Sequence, residues 1–189
     1  MSWSKLKQQL ESFLSPALVG RVEYRATSYR YSPDKSGNCY ITVDKKNVLN
    51  MSDATTSIRW YQTEQEIKND PEIMIPVNDE EIEAIREDSK GPISEERLQV
   101  MARSRKISVH AKELLLAQAA LSKSNFTVAA TTYLSTSIED NLESNDILFN
   151  ILALMDRRVG KKRIMNMSEQ IKLKHPAVQY FYELRRSTL

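Results

Sequence analysis

Asn38-Cys39-Tyr40-Ile41-Thr42-Val43-Asp44 alternates apolar and polar side chains with a period of two, which puts Cys39, Ile41 and Val43 on one face of a half-buried strand. The flanks on either side extend that strand into a sheet. Residues 21–31 form a second strand-like run, separated from the first by the turn residues Ser32-Pro33-Asp34-Lys35-Ser36-Gly37. Residues 48–51 form a third, after Asp44-Lys45-Lys46-Asn47. Connections this short favour a three-stranded antiparallel meander.

Working outward, Trp3, Leu6, Leu10 and Phe13 or Leu14 recur at helical spacing and predict an amphipathic first helix that ends before Pro16. It backs the sheet. Residues 52–67 predict another helix, with Ser52 as its cap and Ala54, Ile58 and Tyr61 on its apolar face. Asn69-Asp70-Pro71 through Pro76 then reads as an extended connection and as the boundary between two portions, 1–68 and 77–189, which a single core could still unite.

Beyond the boundary, Val77-Asn78-x-x-Glu81-Ile82 combines a capping box with a hydrophobic staple. Ile93 and Leu98 form a second staple around Ser94, after the Lys90-Gly91-Pro92 break. From Pro92 to Pro176 there is one glycine and no intervening proline, so this region should be helical. Ser124 or Asn125, Ser137 with Asp140, and Ser144 are the expected caps of helices near 125–134, 137–143 and 145–157. Ile147, Leu148, Ile151, Leu152, Leu154 and Met155 make the last of these apolar over a broad arc, as a buried central helix would be. His175-Pro176 opens a final helix with the stripe Ala177, Phe181 and Leu184. The class is α+β: a small N-terminal helix and meander, followed by a mostly helical portion.

Charge is unevenly spread although the net is only +2. Residues 1–63 hold nine Lys/Arg against five acids, residues 64–100 twelve acids against four bases, and residues 156–189 nine bases against three acids. One cysteine rules out an internal disulfide framework, and the start Met1-Ser2-Trp3-Ser4-Lys5 lacks the apolar core of a secretory signal, so a reducing, cytoplasmic setting is expected, with no membrane span.

The four glycines are too scattered for a phosphate or dinucleotide loop, and His110 and His175 have neither Cys nor His neighbours at metal-ligand spacing. No cofactor is expected. Asp79, Glu80, Glu81 and Glu83 could ligate a divalent ion, but acids in a helix's first turn are already explained by its dipole.

The chemistry that remains is cationic. Asp156-Arg157-Arg158-Val159-Gly160-Lys161-Lys162-Arg163 reads in part as a helix ending, with Arg157 and Arg158 in the last turn and Gly160 at a left-handed C′ position. Lys161, Lys162 and Arg163 would then start the next helix, where cations are disfavoured, so an anionic partner should lie nearby. The acidic 79–96 segment, a nucleic-acid backbone and an acidic protein all qualify. On the first strand Arg21, Arg25, Tyr29 and Tyr31 share one parity, interleaving cations with aromatics as single-strand binders do, and Arg30 lies among them.

The chain resembles a family of uncharacterised bacterial proteins in Trp3-Ser4-Lys5-Leu6-Lys7, in Gly20-Arg21-Val22 with Thr27-x-Tyr29-Arg30, in the 156–163 segment, and in His175-Pro176-x-Val178 with Tyr182-Glu183-Leu184-Arg185. The resemblance implies a small soluble bacterial protein whose two ends share a surface, and carries no catalytic residues. The residues favour a non-enzymatic interaction protein using a basic surface of Arg157, Arg158, Lys161, Lys162 and Arg163, joined by Arg21, Arg25 and Arg30. Two alternatives stand beside it: a small enzyme built from dispersed acids, arginines and tyrosines where the two portions meet, and an intracellular immunity-type protein.

Overall fold

In the computed structural model, which describes residues 1–89 and 91–189, the alternation at 38–44 becomes the central strand of a three-stranded sheet. The strands β1 (Val22–Ser28), β2 (Gly37–Val43) and β3 (Lys46–Ser52) form an antiparallel meander in the order β1-β2-β3. Register pairs Tyr24 with Ile41, and Ile41 with Leu49. Val22, Tyr24, Cys39, Ile41, Val43, Leu49 and Met51 are all buried, the single inward face that alternation predicts. The β2–β3 loop is tighter than expected. Only Asp44 and Lys45 lie outside the strands, both with positive φ (49° and 67°), the geometry by which a two-residue hairpin matches strand twist. Gly37 begins β2 because nothing larger fits: a Cβ there would lie 2.0 Å from the Thr27 carbonyl oxygen.

Helix α1 (Trp3–Phe13) buries Leu6 and Leu10, and a single 3-10 turn at Pro16–Leu18 leads to β1. Helix α2 (Asp53–Asn69) follows β3 directly, with the Ser52 hydroxyl accepting from the Thr55 amide at 3.3 Å. Its apolar face is not the expected one. Ala54, Ile58 and Tyr61 are exposed, whereas Asp53 and Ile67, fourteen positions apart and so on one stripe of the helix, are buried. At the start of the helix the Asp53 carboxylate accepts from the Gly37 amide at 2.8 Å and the Ser124 amide at 3.0 Å.

Helices α3 (Asp79–Asp88) and α4 (Glu95–Ala117) start where the sequence indicates. Asn78 and Glu81 form both bonds of the capping box, Val77 and Ile82 belong to one apolar cluster, and Ile93 and Leu98 join it. Lys90 lies outside the described residues. Helices α5 (Lys123–Tyr133), α6 (Ile138–Glu143), α7 (Ile147–Met155), α8 (Lys161–Asn166), α9 (Ser168–Lys172) and α10 (Pro176–Arg186) complete the chain.

Three caps differ from expectation. Ser122, not Ser124 or Asn125, caps α5 in a capping box with Asn125. Asp146, not Ser144, caps α7: the helix begins at Ile147, and one Asp146 carboxylate oxygen accepts from the Leu148 and Phe149 amides. Gly160 is not a left-handed helix end: with φ −74° and ψ 163° it is the N-cap of α8.

The contacts divide the chain into two compact units, 1–56 with 116–189, and 57–115. The first therefore joins the meander and the C-terminal helices in one core. Every residue from Ile151 to Met155 is buried in it, and α7 packs against α5, α6 and α10. The described residues of the second unit have two small clusters: Ile82, Ile85, Leu98 and Ala102; and Ile67, Ile107 and Ala111.

Candidate functional site

The basic segment is built from the inside outward. Helix α7 stops at Met155 because the next residue, Asp156, is extended and zipped to the end of α1: the Ser15 amide donates to the Met155 carbonyl and the Arg157 amide to the Phe13 carbonyl, both at 2.8 Å. This fixes Asp156 in the core, 1% exposed. A carboxylate so placed needs partners, and it has three. The Arg158 amide donates at 2.7 Å, the Arg158 guanidinium donates to both oxygens at 2.8–3.1 Å, and the Tyr133 hydroxyl donates to Oδ2.

Arg158 in turn lies 4.4 Å above the Phe13 ring and 5.8 Å from that of Tyr133. The Asp156 hydrogen bond holds its guanidinium well above the usual value, and burial, followed by the same carboxylate, holds the Tyr133 phenol well above its own. Acid, tyrosine and arginine do meet here, as an active site would have them. The hollow beside them, lined by Phe13, Tyr24, Tyr133, Leu152 and Asp156 among others, has no room for a water molecule. The cluster is a lock between chain segments.

The rest of the segment divides into occupied and open cations. Val159 is buried and its carbonyl accepts from Arg185 at 3.3 Å. Arg163 pairs with Glu139 at 2.7 Å. Lys161 donates to the Leu189 carbonyl at 3.1 Å, and Arg157 lies 6.0 Å over the Phe13 ring. Among the described residues, Arg157, Lys161 and Lys162 have no Asp or Glu side chain within ion-pair distance; all three are exposed. The first turn of α8 holds no acid. Of the acids of 79–96, four pair within their own unit, Glu83 and Glu95 with Arg86, Asp88 with Arg105, and Glu81 with Lys106.

The sheet arginines are differently placed from what strand parity suggests. Arg21 lies just before β1 and is bound to Asp44 by two hydrogen bonds of 3.0 and 2.8 Å. Arg25 is bound to Glu23, its neighbour on the same face, at 2.8 Å. Because β1 ends at Ser28, Tyr29, Arg30 and Tyr31 belong to the following turn and the parity does not carry through. Tyr29 donates to Asn38 at 3.0 Å, and Arg30 lies 5.6 Å over the Tyr31 ring.

His175 caps α10, its Nδ1 accepting from the Ala177 amide at 3.1 Å, and His110 faces Glu113 at 3.8 Å. Among the described residues no group of three His, Cys, Asp or Glu is placed to hold a metal ion, and no helix is long and apolar enough to cross a membrane.

Sequence reading missed the roles of Phe13, Tyr133 and Arg185. Phe13 looked like one more member of an apolar stripe. Tyr133 carried no signal at all, whereas Asp156, a lone acid beside five cations, did.

Fold and site together define an α+β protein in which a cationic loop is pinned to the first helix through a buried carboxylate. The chain belongs to the SF0329 protein family, whose match covers residues 2–186 and so includes the middle of the chain as well as its ends. No curated protein and no solved structure matches it.

Proposed function

We propose that the protein is a non-enzymatic interaction module that binds an acidic protein partner through Arg157, Lys161 and Lys162. The observation that supports this is selective neutralisation. Arg158 and Arg163 each have an acidic side chain as partner, while three exposed cations around the start of α8 have no Asp or Glu partner among the described residues. Cations beside free helix amides cost about 0.3–1 kcal/mol each, a penalty that an anionic partner removes. Holding the loop to α1 lowers the ordering entropy lost on binding.

An acidic protein is favoured over nucleic acid because Arg21 and Arg25 are already matched by Asp44 and Glu23, leaving a compact cationic patch. A phosphate backbone is better served by an extended stripe.

The test is the triple variant Arg157→Gln/Lys161→Gln/Lys162→Gln, titrated at low salt with polyglutamate and with a single-stranded oligonucleotide. Binding of the wild type to polyglutamate, lost in the variant while its melting temperature holds, is the expected result. Equal binding by variant and wild type would refute the patch. Preferential oligonucleotide binding, with about two units removed from the slope of log affinity against log salt, would replace the acidic protein by nucleic acid.

A further inference from the structure

Residues 73–77 form neither helix nor turn, and their burial alternates: Ile73, Ile75 and Val77 are half-buried on the small clusters, while Met74 (86% exposed) and Pro76 face outward. Period-two burial is the habit of a strand. The sheet of the described residues, however, consists only of β1, β2 and β3. Among the described residues, the amides of Met74, Ile75 and Val77 have no hydrogen-bond acceptor in the chain, and the carbonyls of Ile75 and Val77 have no donor.

In an extended chain, backbone groups of residues two apart point the same way. The side carrying Met74 and Pro76 is a poor edge, since Pro76 has no amide hydrogen and its carbonyl already accepts from Lys106 at 2.6 Å. The side carrying Ile75 and Val77 is an open one.

Beside this segment is a groove of about 770 Å³ lined by Met74, Ile75, Val77, Ile82 and Val100, with Asp79, Glu96 and Arg103 among its charged members. Its surroundings are acidic. Residues 70–96 contain ten acids and two bases, and Asp70, Glu72, Asp79, Glu80, Glu87 and Glu96 have no ion pair among the described residues.

We infer that residues 73–77 are a docking edge for an extended, basic segment of a partner protein. Its backbone pairs with Ile75 and Val77, its alternate apolar side chains enter the groove, and its Lys or Arg side chains meet Asp79 and Glu96. Strand addition of this kind takes affinity from main-chain hydrogen bonds and selectivity from the pockets beside them. The inference is independent of the cationic loop: the two surfaces have opposite charge and lie in different compact units.

The experiment selects a displayed library of random decapeptides on the immobilised full-length chain. The expected winners alternate apolar residues with Lys or Arg. A synthetic copy should lose at least tenfold in affinity when alternate backbone nitrogens are methylated, and at least tenfold against Val100→Asp. Val100 is 64% exposed, so that variant should keep the wild-type melting temperature. Affinity should be unchanged for Lys162→Gln. No enrichment, enrichment of acidic peptides, or indifference to backbone methylation would each overturn the inference. Concentration-dependent dimerisation abolished by Val100→Asp would assign the groove to a second copy of the chain instead.

Discussion

Arg158 and Lys162 carry the same charge four positions apart, yet their side chains have unlike jobs. Removing Arg158 strands the buried Asp156 carboxylate with the Tyr133 hydroxyl and one amide, whereas Lys162 projects into solvent. Arg158→Ala should therefore lower the unfolding free energy by about 2–4 kcal/mol, somewhat less than the roughly 3–5 kcal/mol of a fully buried pair because the arginine is partly exposed. Lys162→Ala should change it by less than about 0.5 kcal/mol. Urea denaturation of both variants gives the comparison, and equal effects would mean that Asp156 does not depend on its arginine. Asp34 makes a second residue-scale prediction. Hydrogen bonds from the Ser32 hydroxyl, then from the Ser36 hydroxyl and amide, hold its carboxyl at about 2, below the ordinary 3.8. With the folded value below the unfolded one, any stability it contributes is complete above pH 3.8 and is lost as pH falls towards 2. An NMR titration should find Asp34 ionised at pH 3, and Ser32→Ala/Ser36→Ala should return it to the usual carboxylate range.

Among the elements, α7 carries the core. Leu152 is 2% exposed, so Leu152→Ala should cost about 2–5 kcal/mol, with the midpoint of denaturation shifted and its slope kept. A cost below about 1 kcal/mol would indicate that the helix is not where the packing is concentrated. This helix was legible in the sequence, as were the meander, the first helix and the capping box at Asn78, because each is specified by neighbours within a few residues. What failed was also local, but ambiguous. A glycine after two arginines suits a helix end as well as a helix start, and Gly160 takes the second role because Asp156 has already turned the chain away. The face of α2 was misjudged because Asp53, a polar residue, is the buried one, held by amides from β2 and α5. The candidate site was visible only as charge. Which cations are neutralised depends on Glu139, Asp44 and Asp156 meeting them in space, and composition does not carry that information.

At the scale of the whole molecule, the two compact units differ in how much apolar surface holds each together. One contains the continuous core around α7, and the other relies on clusters of four and three buried residues. Opening free energy follows buried apolar contact, so amides of α3 should exchange with solvent markedly faster than those of β2 and α7. Cys39 reports on the larger unit. It is fully buried in β2, and burial pushes its thiol up to about 12, so its native-state labelling at pH 8 should proceed no faster than global unfolding. Labelling at the rate of the denatured chain, or α3 amides protected as strongly as those of α7, would contradict this division.

The pairing of residues 13–15 with 155–157 also sets a clock for synthesis. The end of α1 emerges early, but the partners that zip it down are made about 140 residues later, which at roughly 5–20 residues per second is about 7–28 s. During that interval Leu6, Leu10 and the inward face of the meander are without α7, the helix at the centre of their core. The nascent chain is thus committed to a period of exposed apolar surface ended only by its own C-terminal third. Truncation before residue 155 should leave a product that aggregates or is degraded, rather than a smaller folded protein.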